Sequence, residues 1–76
     1  TMNIPPDPEG MNNERAERAE KAIELYDDGE GDDNTYLNDL LADLMHWCDR
    51  HEVDFDHALR IAKDHYWAET QPEAEE

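Results

Sequence analysis

Leu37, Leu40, Leu41, Leu44, Met45 and Cys48 recur at helical spacing within the segment TYLNDLLADLMHWCDR. Apolar residues separated by three and four positions fall on one side of a 3.6-residue helix, so this stretch predicts an amphipathic helix over about 35–50. Asn38, Asp39, Asp43, His46 and Arg50 take the opposite side, and Tyr36 and Trp47 flank the apolar one. Asn34 or Thr35 supplies an N-cap type. No segment shows the period-2 alternation of a half-buried strand.

Two further helices follow from local chemistry. NERAERAEKAIELYD, about 13–27, is built from strong helix formers and starts beside the capping candidates Asn12 and Asn13. Glu14 with Arg18 and Glu17 with Lys21 have the favourable i,i+4 order. Its apolar side is Ala16, Ala19, Ala22, Ile23 and Tyr26, with Leu25 at the flank. FDHALRIAKDHYWAE, about 55–69, follows the N-cap candidate Asp54 and places Phe55, Ala58, Leu59, Ala62 and Tyr66 on one side. Gly29 or Gly31 can end the first helix, and Pro72 helps to end the third. The connection 51–54 is short enough to make the last two helices antiparallel neighbours.

The fold expectation is therefore all-α: a small three-helix bundle, or a helical hairpin plus an N-terminal helix. Residues 1–11, with Pro5, Pro6 and Pro8, form a disordered arm; 12–70 form a single helical domain; 71–76 form an acidic tail. Thr1 ahead of Met2 reads as a residue left by cloning, with the native start at Met2 or Met11.

Size and charge bound the function. A 76-residue chain buries only about 60% of its unfolded surface, which leaves little volume for a desolvated catalytic pocket. The single cysteine, Cys48, forms no internal disulfide and suits a reducing cytoplasm. Large apolar residues are few for a free-standing monomer. Homodimerisation through the leucine face of the second helix, or through the alanine face of the first, would supply the missing burial.

Twenty-two Asp and Glu face six Lys and Arg, a formal net charge of -16. Residues 27–33, DDGEGDD, hold five carboxylates and no cation, and the last eight residues hold four more. Such a chain neither binds nucleic-acid phosphates directly nor adheres to an anionic membrane. The expected partner is a protein with a basic surface, and the expected contact residues are Asp27, Asp28, Glu30, Asp32, Asp33, Asp39, Asp43 and the outward-facing Trp67. Lys63 and Arg60 beside Trp67 offer the plainer alternative, a cation–π contact within the chain.

Metal and catalytic chemistry find less support. Asp43 with His46 and Asp54 with His57 have i,i+3 spacing, but on or near polar faces. Counted from Asp28, the acidic loop offers oxygens at the first, third, fifth and twelfth positions of a calcium loop. Asp33 stands where the sharp turn needs glycine, and Asp39 where a bidentate Glu is usual. No cofactor, catalytic residue or structural metal is expected, and the chain reads as no enzyme.

The segment LNDLLADLMHWCDRHEVDFDHALRIAKDHYWAE, Leu37 to Glu69, is similar to short acidic helical proteins of bacteria and their phages or mobile elements. That resemblance carries over no activity and no functional residue. In size and charge the chain also resembles small acidic inhibitors of nucleases and of restriction or CRISPR systems, whose carboxylates imitate a phosphate backbone. The leading functional expectation is an acidic protein-binding module that mimics nucleic acid before a basic partner. The alternative is a helical dimerisation or adaptor protein whose acidity serves solubility or salt adaptation.

Overall fold

The structure, a computed structural model, describes residues 4–72. It is all-α: helix α1 spans Asn12–Ile23 and continues as a 3-10 turn over Glu24–Tyr26, α2 spans Asp33–Arg50 and α3 spans Phe55–Glu69. No strand occurs among the described residues. Residues 1–3 and 73–76, including Thr1 and most of the acidic tail, lie outside the described part.

The start of α1 is capped from a distance. Met11 occupies the N-cap position and contributes no side-chain bond. Instead the chain turns at Asp7–Gly10, where the Gly10 N–H donates to the Asp7 carbonyl. The Asp7 carboxylate then accepts from the Asn12 backbone N–H at 3.2 and 3.3 Å. Neither Asn12 nor Asn13 caps α1 as the sequence suggests. The Asn12 side chain donates to the Glu69 carbonyl at 2.8 Å, fastening the start of α1 to the end of α3. Arg15 reinforces this junction by pairing with Glu69 at 3.3 Å and Glu9 at 3.1 Å. The i,i+4 pairs expected along α1 do not close among the described residues. Glu14, Glu17, Arg18 and Lys21 remain exposed, where such pairs are worth a few tenths of a kcal/mol at most.

Helix α2 begins two residues earlier than its apolar pattern implies. Asp32, not Asn34 or Thr35, is the cap, its carboxylate accepting from the Thr35 N–H at 2.9 Å. Asp54 caps α3 as expected, accepting from the His57 N–H at 3.0 Å. Between them the chain reverses in a Schellman-type turn: the Val53 N–H donates to the Cys48 carbonyl at 3.0 Å, and Glu52 takes the left-handed position with φ +57°. That position favours glycine, since a side chain there costs about 1 kcal/mol. Glu52→Gly is therefore expected to stabilise the chain by about 0.5–1 kcal/mol, read as a higher urea midpoint with an unchanged slope.

The bundle is open. Its radius of gyration is 15.0 Å, against about 11 Å for a compact domain of this length. Its accessible surface is 6867 Å², against about 4,800 Å² for a folded monomer of this mass. The backbones of α2 and α3 approach within 8 Å at few positions beyond what their short connection requires. The expected core on α2 and α3 is consequently only partly covered. Phe55 is half-buried, but Ala58, Leu59, Ala62 and Tyr66 are exposed. Among the described residues two apolar side chains are buried, Tyr36 and Cys48, each 6% exposed, near opposite ends of α2.

Candidate protein interaction surface

The acidic loop folds on its own carboxylates. Asp27 accepts from the Gly29 N–H at 2.9 Å, and Gly29 adopts φ +79°. Asp28 accepts from the N–H groups of Glu30 at 3.0 Å and Gly31 at 3.3 Å. Tyr36, one turn into α2, reaches back under the loop. Its hydroxyl donates to the Gly31 carbonyl at 3.1 Å, lies 3.1 Å from the Gly31 N–H, and stands 3.4 Å from Asp28. The ring presses so closely on Gly31 that a Cβ there would stand 2.9 Å from it. Gly31 thus serves close approach rather than helix termination. Helix α1 ends through the 3-10 turn and the extended Asp27.

These bonds set the loop's acidity. The backbone N–H of Glu30, with that of Gly31, holds the Asp28 carboxyl below the ordinary carboxylate range. The Thr35 N–H does the same for Asp32. Both groups ionise more readily folded than unfolded, so their contribution to stability is present above the unfolded pKa. It is lost as the pH falls through the lower folded values. Acidification below the ordinary carboxylate range is expected to release the loop and fray the start of α2. A carbon-13 NMR titration of the carboxyl groups, with the Gly31 and Thr35 amide shifts, reads this directly.

A second tyrosine joins the loop side to α2. The Tyr26 hydroxyl donates to Asp43 at 2.7 Å. That bond, with the nearby Asp39 charge, raises the phenol's pKa. Asp32, Asp39 and Asp43 are spaced by seven and four residues, which keeps them on one side of α2. With Asp28 held near the same end by Tyr36, four of the eight expected contact residues form one acidic edge. Asp27, Glu30 and Asp33 are exposed around the loop and the first turn of α2.

Trp67 stands apart on α3, 65% exposed. No Lys or Arg stacks on it among the described residues; Arg60 turns instead to His57 Nδ1 at 2.8 Å. The carboxylate–histidine pairs do not converge: Asp43 serves Tyr26 and Asp54 serves the helix cap. Among the described residues no group of three His, Cys, Asp or Glu side chains is placed to hold a metal ion. In the loop, Asp28 and Asp32 turn towards backbone N–H groups rather than towards a common centre.

The surface that sequence reasoning assigned to the core is the larger feature. Leu37, Leu41, Leu44 and Met45 on α2 and Leu59 and Tyr66 on α3 are all exposed. Trp47, at the edge, stacks on His51 with ring centroids 4.2 Å apart, an i,i+4 aromatic pair whose spacing was visible in the sequence. A shallow apolar hollow lies beside it between Tyr26, Leu40, Leu44 and Trp47. Among the described residues no helix is long and apolar enough to cross a membrane. No family model, curated protein or solved structure matches the chain.

Proposed function

We propose that the chain is a small acidic protein-binding module that binds through the apolar sides of α2 and α3. The observation that carries this reading is the exposure of Leu37, Leu41, Leu44, Met45, Leu59 and Tyr66 when two apolar side chains are buried among the described residues. Contiguous exposed apolar surface of this kind marks interaction sites. The carboxylates around it keep the unpaired chain soluble and steer its encounter with basic groups. It works as a helical dimerisation or adaptor module, with no catalytic step.

The acidic edge of Asp28, Asp32, Asp39 and Asp43 favours a second reading, imitation of a phosphate backbone before a basic protein. This reading also accommodates an origin in a phage or mobile element. Salt separates the two. Apolar docking retains its partner when ionic strength is raised to about 0.5 M, whereas contacts between exposed charges are screened within about 4–5 Å there. The test is association at low and high salt. A complex that persists in high salt supports apolar docking. Loss at high salt supports mimicry, and a compact monomer that associates with nothing contradicts both.

A further inference from the structure

We infer that the occupant of the open apolar face is a second copy of this chain, joined as a two-fold homodimer through Leu37, Leu41, Leu44 and Met45 of α2 and Leu59 and Tyr66 of α3. This rests on the proposed interaction function and names its partner. The first argument is area. The chain exposes about 2,000 Å² more than a folded monomer of its mass. The arm at 4–11, with Ile4 86% exposed, and Leu25 in the 3-10 turn, 85% exposed, contribute part of that excess, and the faces of α2 and α3 contribute a further part. Covering the helix faces on two copies is in the range of a specific interface of standard size, roughly 1,200–2,000 Å² in total. With only Tyr36 and Cys48 buried among the apolar side chains of the described residues, the chain needs such cover continuously, and the partner always present in equal number is another copy of itself.

The second argument is the placement of charge. No ionisable side chain interrupts the run of Leu37, Leu41, Leu44, Met45 and Cys48 along its side of α2. Two such faces meet without burying a carboxylate. At the margins, Lys63 on α3 forms no ion pair within the chain, and neither does Asp49 on α2, among the described residues. An isologous interface uses the same patch on both copies, so every contact in it occurs twice. With α3 of one copy laid on α2 of the other, Lys63 and Asp49 meet in two symmetry-related pairs.

Two copies that each carry -16 repel one another outside the interface. Salt screens that repulsion, so dimerisation strengthens with ionic strength, the opposite of a phosphate mimic meeting a basic partner. Sedimentation equilibrium of the full chain is expected to give twice the 8.9 kDa chain mass, with a dissociation constant that falls as salt rises. In a mixture of labelled and unlabelled chains, isotope-filtered NOEs are expected from the methyls of Leu41 and Leu44 to the other copy. A dimer whose intermolecular NOEs map to Ala16 and Ala19 overturns this interface, and a higher oligomer overturns the two-fold pair. A monomer that is poorly helical until a different protein is added overturns the second copy and leaves the interaction function standing. A monomer that unfolds cooperatively at every concentration overturns both.

Discussion

Tyr36→Ala is expected to abolish the folded state. Removing a buried aromatic ring costs about 3–5 kcal/mol, comparable with the roughly 4–11 kcal/mol that a chain of this length holds in total. Here the ring is one of the two buried apolar side chains among the described residues, and its hydroxyl binds both backbone groups of Gly31. Its loss frees the loop, removes the support under Asp28 and leaves the start of α2 held by the Asp32 cap alone. Circular dichroism is expected to show a fall in helicity without a cooperative transition. Tyr36→Phe keeps the ring and loses the hydroxyl, with an expected cost of about 1 kcal/mol. A Tyr36→Ala chain that keeps a cooperative urea transition within about 1 kcal/mol of the parent would contradict the placement of the core beneath the loop.

The double substitution Leu41→Glu with Leu44→Glu is expected to have the largest effect on association. Both leucines keep a large share of their surface open in the single chain, at 37% and 41% exposed, and circular dichroism of the monomer separates any lost packing from lost association. Glutamate is also a good helix former. In a complex that covers this face, the same change places two carboxylates in an apolar contact without partners, at a cost of several kcal/mol. Each 1.4 kcal/mol is about tenfold in affinity, so a loss of at least about a hundredfold is expected by sedimentation or calorimetry. Matched substitutions to Glu at the outer positions Ala42 and His46 are the control for added charge alone. Equal behaviour of the two sets would show that the leucine face takes no part in binding.

The residues made the helices legible and left their burial obscure. Periodicity located α2, and Asp54 marked the start of α3, because both signals act within one or two turns. Helix α2 began earlier because the Asp32 carboxylate reaches the Thr35 N–H, a cap three residues ahead of its target that the apolar pattern does not contain. The cap on α1 came from Asp7, within the proline-rich arm whose composition suggested only disorder. Tyr36 looked like a flanking residue. It became the most covered aromatic because the loop folds back and Gly31 leaves room for its ring. Leu59 and Tyr66 were read as core because periodicity reports which side of a helix is apolar, not what lies against it. The same limit explains the acidic edge: spacing aligned Asp32, Asp39 and Asp43, but the links from Tyr26 to Asp43 and from Tyr36 to the loop depend on contacts between elements.

The central claim is that this chain completes its apolar burial only by association. Thermal unfolding of the full chain across about a thousandfold range of concentration tests it most directly. Unfolding coupled to dissociation obeys mass action, so the midpoint is expected to rise steadily with chain concentration. A sharp transition with one midpoint at every concentration would show that the single chain is stable on its own and would contradict the account.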